Sequence, residues 1–349
     1  MDEIRHPFPE PPAPGTATEV APGILWLRLP LPWALDHVNA YALDEGNGWT
    51  LIDCGIHSRR AVKGWEALLA GPLAGKPVRR LVVTHHHPDH IGMAGWFIAR
   101  GAELLITRTA WLYARMLLNT PEERPSPEAI TFWKRAGMAP ADLERRMAER
   151  PFNASDCVAP LPPGFTRLQE GQSLHLGGRD WRIRIGHGHA PSHATLWSEA
   201  PETGGAGSSG LVLGGDQLLP GISANIGVYP AEPEADPLDE WLESCTRLST
   251  FARADQLVLP GHKLPFTGLP FRLRQMVGNH LSALDRLRDF LATPQTAVAC
   301  FPLLFRRRIG EGELGLALAE AVAHLNHLYQ RGEITRFPGP DGAWLWQKA

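Results

Sequence analysis

The sequence LVVTHHHPDHIG, residues 81–92, contains four histidines and an aspartate directly after a short apolar run. An apolar run of this kind is typical of a buried strand. Side chains alternate along an extended segment, so we expect His85 and His87 to point the same way and His86 to point away. Pro88 cannot continue a central strand, and its position favours the beginning of a helix. The stretch therefore predicts a strand that ends in a cluster of polar side chains.

The polar residues of this stretch are of the types that bind divalent cations. Imidazole and carboxylate groups are ligands for zinc and related ions. One metal ion could sit at the pair His85 and His87, and a second at Asp89 and His90, which follow on the predicted helix. The alternative is a solvated histidine-rich turn. We favour metal binding because so dense a cluster begins at a buried strand.

Four more segments place an aspartate or a histidine at the end of a run that predicts a strand, or in the turn that follows it. They are LIDCG at 51–55, GHGHAPSH at 186–193, LVLGGD at 211–216 and LVLPGH at 257–262. Together with the pattern His-x-His-x-Asp-His, these segments resemble, in order, the metal-site segments of the metallo-β-lactamase superfamily. The resemblance covers about residues 20 to 270.

The resemblance implies a fold and a ligand set. The fold is the α+β four-layer αββα sandwich of the metallo-β-lactamase superfamily. Asp53 corresponds to an early aspartate that supports the site without binding metal. The implied ligands are divided between two ions and one bridge: His85, His87 and His189 for the first ion, Asp89, His90 and His262 for the second, and Asp216 between them.

The sequence departs from the family pattern at His187, where family members often carry proline. This imidazole could support the ligands, contact substrate or form a structural hydrogen bond, the commonest role of a lone histidine. Trp33 lies in a loop that corresponds to a hairpin loop overhanging the metals in the family, although an aromatic ring packed on the sheet edge is an equal alternative. The other candidates for substrate contact or ligand support are His193, Asn225 and Tyr229.

The implied pair of ions predicts hydrolysis. A bridging carboxylate holds two ions about 3.5–4 Å apart, and water between them is deprotonated near neutral pH. The resulting bridging hydroxide would attack an electrophilic carbonyl or phosphorus atom, with Asp89 as the candidate proton acceptor. Zinc is the default ion, and a set of histidine and aspartate ligands also suits iron or manganese.

The ligand set leaves the substrate open. The first hypothesis is an ester-like bond, either a thioester of the hydroxyacylglutathione type or a lactone, because an aromatic insertion suits a compact acyl group. A phosphodiesterase or ribonuclease of the same fold needs a basic groove, for which the sequence offers little. A mononuclear iron oxygenase acting on a persulfide is a further alternative, against which the full second set of ligands weighs mildly and which the iron content would decide. A binding module with a dead site conflicts with the presence of every ligand, and the resemblance to true β-lactamases is confined to the metal segments.

The chain divides into three predicted regions. Residues 1–20 form a Pro-rich arm, residues 21–269 the catalytic domain and residues 270–349 a smaller C-terminal domain. Two or three helices inserted at 108–150 could cover the metal site as a lid or pack on their own domain. A Gly/Ser-rich connection at 203–210 separates two predicted strands of the catalytic domain.

The C-terminal region predicts two helices, 271–292 and 313–331, followed by a hairpin around a turn at 338–342. This order resembles a winged-helix domain, which some superfamily members carry. Winged helices bind DNA or serve in dimerisation and packing, and the formal net charge of -3 favours the second role. We therefore expect a small-molecule substrate and no nucleic-acid partner, and the chain could form a homodimer.

The bulk composition points to a cytoplasmic protein. Hydrophobic residues make up 44% of the chain and charged residues 20%, which is ordinary for a globular protein with a sizeable core. The four cysteines are scattered and form no C-x-x-C pair, so we expect reduced thiols. The N-terminus has no apolar signal core, so we expect no export. No apolar run is long enough to span a bilayer, so we expect no membrane insertion.

Overall fold

Two β-sheets packed face to face form the centre of the protein. The computed structural model describes residues 3–199 and 210–349, so the predicted Gly/Ser-rich connection lies outside the described residues except for Gly210. The first sheet has seven strands arranged in sequence order. They are β1 (Thr18–Ala21), β2 (Ile24–Pro30), β3 (His37–Asp44), β4 (Trp49–Ile52), β5 (Val78–Val82), β6 (Glu103–Thr107) and β7 (Thr166–Leu168).

The second sheet has five strands. They are β8 (Ser173–Leu176), β9 (Arg179–Gly186), β10 (His193–Ser198), β11 (Leu211–Gly215) and β12 (Leu257–Pro260). Their order in space is β12-β11-β10-β9-β8, with β11 and β12 parallel and the other pairs antiparallel. In the first sheet β1 to β4 are antiparallel, and β4 to β7 are parallel.

Helices cover the outer faces of both sheets. The α-helices of the described residues are α1 (Arg59–Ala70), α2 (Pro88–Ile91), α3 (Ala94–Ile98), α4 (Arg108–Asn119), α5 (Pro127–Arg135), α6 (Pro140–Ala148), α7 (Pro237–Ser249), α8 (Leu269–Phe290), α9 (Phe301–Phe305) and α10 (Leu314–Gln330). Trp65 of α1 and Phe97 of α3 are buried in a cluster against the first sheet, and Trp241 of α7 lies in another against the second. A third cluster, which includes Trp26 and Trp181, fills the space between the sheets. These layers confirm the predicted αββα sandwich.

The insertion after β6 consists of the three helices α4, α5 and α6. Phe132 of α5 belongs to the same hydrophobic cluster as Trp346 near the C-terminus. The backbone N–H of Val298 also donates to the carbonyl of Ala136 at 3.1 Å, directly after α5. At least α5 therefore packs on the C-terminal region, and a lid role for the insertion stays a prediction.

The C-terminal region consists of α8, α9 and α10 followed by a hairpin of β13 (Ile334–Pro338) and β14 (Trp344–Lys348). The predicted helices and terminal hairpin are present, while the winged-helix likeness stays a prediction. Leu284 of α8 and Leu325 of α10 share a hydrophobic cluster with Val258 of β12. The predicted domain boundary at 269/270 falls at the beginning of α8, and the apolar core continues across it.

The N-terminal residues differ in one respect from the predicted arm. Thr18 to Ala21 form β1 and pair with β2, so the last three residues assigned to the arm are part of the first sheet. A strand of four residues is too short to show a periodic pattern in the sequence. Its stability comes from pairing with β2. Among the described residues, no helix combines the length and the apolar content needed to cross a bilayer.

Candidate metal centre

The predicted ligands lie where strands of both sheets end. β5 leads into His85 and His87, and α2 carries Asp89 and His90. The segments that follow β9, β11 and β12 supply His189, Asp216 and His262. The structure therefore brings together all seven residues that the resemblance implies as ligands.

Side chains alternate after β5 as the extended backbone predicts. Nε2 of His85 and Nδ1 of His87 lie 3.1 Å apart. The ring of His86 instead faces Tyr113 of α4, with ring centroids 5.2 Å apart. His85 and His87 can therefore bind one cation, whereas His86 packs against α4 of the insertion.

The ligand atoms form three overlapping groups. Within each group the nitrogen and oxygen atoms lie within 4.8 Å of one another. Groups of imidazole and carboxylate at such spacing could each hold a metal ion. The groups are His85, His87 and His189, then His85, His90 and Asp216, then Asp89, His90 and His262.

Asp216 stands at the centre of the cluster. Its Oδ1 lies 3.3 Å from Nε2 of His90. Its Oδ2 lies 3.3 Å from Nε2 of His262 and 3.6 Å from Nε2 of His189. Nε2 of His262 also lies 3.2 Å from Oδ2 of Asp89. Asp216 therefore contacts imidazoles that the resemblance assigns to both ions, His189 to the first and His90 and His262 to the second.

Several atoms of the cluster are buried without a hydrogen-bond partner. Within residues 3–199 and 210–349, this is true of Nε2 of His90, Nε2 of His189 and Oδ1 of Asp216. Buried polar atoms are normally satisfied, so unpartnered atoms that face one another indicate a site built for a ligand. A divalent cation fits this donor set, because imidazole nitrogens and carboxylate oxygens all offer it lone pairs.

Main-chain carbonyls fix the orientation of two ligand imidazoles. Nδ1 of His189 donates to the carbonyl of Asn225 at 2.9 Å. Nδ1 of His262 donates to the carbonyl of His37 at 2.8 Å. A proton on Nδ1 leaves Nε2 as the nitrogen with the free lone pair, so both rings present Nε2 to the centre.

Asp53 orients two further imidazoles from behind. Its Oδ2 accepts hydrogen bonds from Nδ1 of His90 and from the hydroxyl of Thr84, both at 2.8 Å, and its Oδ1 accepts from the backbone N–H of Thr84 at 2.8 Å. Because the Thr84 hydroxyl donates to Asp53, it accepts from Nδ1 of His85 at 3.0 Å. One buried carboxylate therefore steadies His85 and His90, in keeping with the supporting role that the resemblance implies.

The charges within the cluster favour a cation. Burial lowers the pKa of His85 and that of His189. Burial would also lower the pKa of His262, but Asp216 raises it to about 10. Burial would raise the pKa of Asp216, but His262 and His90 hold that pKa well below its usual range. Asp216 and Asp89 thus retain protons on His90 and His262, whose pKa values they raise, and metal binding would displace such protons.

Backbone strain is concentrated around the cluster. The described part of the chain has four non-glycine residues with positive φ. Of these, Asp53 at 56° hydrogen-bonds a ligand, Lys263 at 69° directly follows one, and Ser192 at 55° lies between His189 and His193. Such conformations cost roughly 1–3 kcal/mol each and persist where the surrounding structure requires them. Their position indicates that the cluster is built at the expense of local stability, as functional sites are.

His193 supports the ligands from the interior. It is fully buried, and its ring stacks on that of His85 with centroids 4.6 Å apart. Its Nε2 accepts a hydrogen bond from the backbone N–H of Asp216 at 3.1 Å. The contacts of His193 are therefore with the cluster.

His187 lies outside the three ligand groups. It lines a polar cavity of about 370 Å³ together with Arg108 and Arg167. Its Nδ1 accepts a hydrogen bond from the backbone N–H of Ser192 at 3.3 Å, and its own N–H donates to the Ser244 hydroxyl at 2.9 Å. These bonds agree with the structural role, and a substrate contact stays a prediction.

Trp33 and Tyr229 are exposed aromatic residues on loops. Trp33 is 42% exposed, and its ring meets that of Phe152 edge to face with centroids 6.4 Å apart. The loop of Trp33 ends at His37, whose carbonyl holds His262. The roles of Trp33 and Tyr229 as substrate contacts stay predictions.

Three contributors to the centre were not predicted from the sequence. Thr84 directly precedes His85, and that position between strand and ligand was a usable signal. His37 acts through its main-chain carbonyl, which leaves no side-chain signal. Tyr113 could be recognised only as part of an aromatic insertion, because its contact with His86 depends on how α4 docks.

Comparison with known proteins identifies the family. The sequence profile described as "Metallo-beta-lactamase superfamily" matches residues 33–228, more than half of the chain. The chain belongs to the metallo-β-lactamase superfamily. A second profile, "Metallo-beta-lactamase-like, C-terminal domain", matches residues 284–349 of this superfamily member.

Three relatives match this superfamily member over most of its length. The solved structure of a beta-lactamase domain protein from Burkholderia ambifaria shares 37% identity with a TM-score of 0.89, covering 99% of this chain and 98% of that one. A metallo-beta-lactamase family protein from Thermus thermophilus shares 27% identity with a TM-score of 0.75, covering 95% and 100%. The probable metallo-hydrolase YqjP of Bacillus subtilis (strain 168) is 27% identical over 320 residues, 90% of this chain and 94% of that protein. Family membership and these relatives support a metal-dependent hydrolase and leave its substrate open.

Proposed function

We propose that this metal-dependent hydrolase uses two divalent ions, zinc by default, to cleave an ester-like bond in a small molecule, either a thioester of the hydroxyacylglutathione type or a lactone. The observation that carries the proposal is the position of Asp216, which lies between the two implied sites. Its carboxylate oxygens lie 3.6 Å from Nε2 of His189 in the first site and 3.3 Å from Nε2 of His90 and of His262 in the second. Two bound ions would supply an activated water and stabilise charge on the substrate oxygen. Iron or manganese would suit the same ligands.

Each ligand has a role in this proposal. Asp89 would also take the proton released in the reaction, because its side chain is 15% exposed whereas that of His90 is fully buried. Burial would raise the pKa of Asp89, but His90 and His262 lower it, so the carboxylate is ionised at neutral pH and able to accept a proton. The first site would consist of His85, His87 and His189, the second of Asp89, His90 and His262, and Asp216 would bridge them.

Apolar surface supports an acyl substrate. Leu112 and Met116 of α4 are 52% and 44% exposed. The same helix contacts the segment 85–90 through the rings of Tyr113 and His86. Exposed apolar side chains on a helix that contacts the metal-site segment would suit a pocket for a small organic molecule. A phosphodiester backbone would instead require a row of cations, which a net charge of -3 does not favour.

The proposal extends to the setting of the enzyme. All four cysteines are unpaired, which supports a reducing, cytoplasmic environment. The small net charge supports a second copy of the chain, rather than nucleic acid, as the partner of the C-terminal region.

Metal analysis and a substrate panel test the proposal together. Purified wild-type protein should contain close to two zinc ions per chain by elemental mass spectrometry, and Asp216→Ala should lose most of them. Thioesters, lactones, phosphodiesters and β-lactams should then be compared on metal-replete enzyme, with fastest turnover expected for a thioester or lactone. One ion per chain that Asp216→Ala leaves in place would refute the bridged pair, and turnover confined to phosphodiesters would refute the substrate class.

A further inference from the structure

One ligand of the proposed metal centre is held by a segment that rests on the C-terminal helix α10. The carbonyl that orients His189 belongs to Asn225. Asn225 lies in residues 217–229, a segment with neither helix nor strand. Because such a segment has no ladder of its own hydrogen bonds, the position of this carbonyl depends on what holds the segment in place.

Hydrogen bonds to α10 hold the segment 217–229 in place. Nδ2 of Asn225 donates to Oε2 of Glu320 at 2.9 Å and to the carbonyl of Leu316 at 3.2 Å. The backbone N–H of Val228 donates to the carbonyl of Ala319 at 3.1 Å. Asn225 therefore joins α10 through its side chain and the metal ligand through its main chain.

Glu320 is a costly residue at this contact. Its side chain is half-buried, and no cation within the described ranges contributes to its pKa. Burial raises the pKa of Glu320 to about 7, and the hydrogen bond from Asn225 opposes that rise. A carboxylate partly removed from water without a compensating cation costs free energy, and residues that lower stability in this way are expected where function requires them.

We propose that Glu320 is a positioning residue of the metal centre, acting through Asn225 to place the carbonyl that orients His189. The C-terminal helix is then part of the metal site rather than a separate module. This inference rests on the proposed metal-dependent function and adds a residue of the C-terminal region to it. Groups that orient a metal ligand indirectly change metal affinity by roughly 10–100-fold when they are removed.

Zinc affinity of full-length variants, measured by competition with a chromophoric chelator, tests the inference. Glu320→Leu removes the acceptor from Asn225, so the dissociation constant for zinc should rise by roughly tenfold or more. Glu320→Gln keeps an amide oxygen that can accept the same hydrogen bond, so its dissociation constant should stay within about twofold of wild type. Asn225→Ala removes the other half of the contact and should match Glu320→Leu, and it decides the question alone if Glu320→Leu does not fold.

Glu333→Leu is the matched control. Glu333 is a carboxylate of the C-terminal region with its side chain 26% exposed, and it is paired with Arg288 and Arg331 rather than with the segment 217–229. Its loss should lower the thermal midpoint and leave zinc affinity unchanged. Wild-type affinity in Asn225→Ala or Glu320→Leu, or an equal loss in Glu333→Leu, would overturn the inference and leave the proposed function standing. A wild-type chain that binds no zinc would overturn the proposed function itself.

Discussion

At the scale of single residues, the cluster depends on a glycine that precedes a ligand. A Cβ at Gly261 would overlap Oδ1 of Asp216 and lie 2.8 Å from Cε1 of His90. Both neighbours are buried, so neither can move away without disturbing the cluster. Gly261→Ala should therefore displace the bridging carboxylate, lower zinc content and reduce turnover by about 100-fold, as measured by elemental analysis and steady-state kinetics.

Gly278→Ala provides the comparison. Gly278 lies in α8, and a Cβ there would meet no atom within 4 Å. Alanine is favoured over glycine inside a helix by about 0.5–1 kcal/mol, so this variant should keep its metal and unfold at an equal or higher temperature. If both variants lost metal to the same degree, close approach at Gly261 would not be the cause.

The same scale shows which parts of the centre a sequence can reveal. His85, His189 and Asp216 were predictable because each side chain follows a strand and belongs to a chemical type that binds cations. The orientation of His189 was not predictable, because it is set by a main-chain carbonyl that any residue at position 225 would carry. Glu320 was hidden for a further reason, since its contact with Asn225 exists only once α10 has docked against a segment nearly a hundred positions earlier.

At the scale of elements, α8 and α10 meet through a buried pair of histidines. Nδ1 of His280 lies 3.2 Å from Nε2 of His324. Burial lowers the pKa of His280 to about 3 and that of His324 to about 4, with further effects from His327, Asp236 and Arg286. In the unfolded chain both imidazoles regain pKa values near 6.5 and bind protons that the folded state excludes. The stability of the neutral pair is therefore fully present above about pH 6.5 and is lost as the pH falls toward 4.

His280→Asn should make this pH dependence shallower. Each depressed histidine contributes at most about 1.4 kcal/mol per pH unit between its two pKa values. Between pH 7.5 and 5.5 the unfolding free energy of wild type should fall by about 1 kcal/mol more than that of the variant, in urea titrations followed by tryptophan fluorescence. His175→Asn, at an exposed position on β8, is the comparison variant. Parallel pH profiles for wild type and His280→Asn would show that the pair does not titrate on unfolding.

Element boundaries were predictable where a pattern was long or a partner was adjacent. The apolar runs at 211–213 and 257–259 were predicted to be strands, and they form the first residues of β11 and β12. β1 and β7 have four and three residues, too few for a periodic signal, and they exist because β2 and β6 offer them free edges. The docking of α5 on the C-terminal region was likewise beyond local pattern, because it joins apolar faces far apart in the chain.

At the scale of the whole molecule, a shared core joins regions that the sequence suggested were separate. Val258 of the second sheet, Phe132 of the insertion and Trp346 of the terminal hairpin belong to one hydrophobic cluster. A core that crosses a proposed domain boundary couples the unfolding of both sides, because neither can bury its apolar face alone. The full chain should therefore unfold in one transition.

Removing the metal should move that whole transition. A ligand that binds only the folded state stabilises it by RT ln(1 + [L]/Kd), about 4 kcal/mol when free zinc is a thousandfold above the dissociation constant. For a chain of this size such a loss corresponds to a fall in the thermal midpoint of about 5–10 °C. Far-ultraviolet circular dichroism and tryptophan fluorescence should report the same lowered midpoint after chelation, because Trp241 and Trp346 lie in the core shared with the C-terminal region. Two separate transitions, of which chelation shifts only one, would show that the C-terminal helices fold apart from the metal centre. The hydrogen bonds from α10 to Asn225, which position the carbonyl that orients His189, would then join two regions that unfold separately. Such a contact would be far weaker than the shared core predicts.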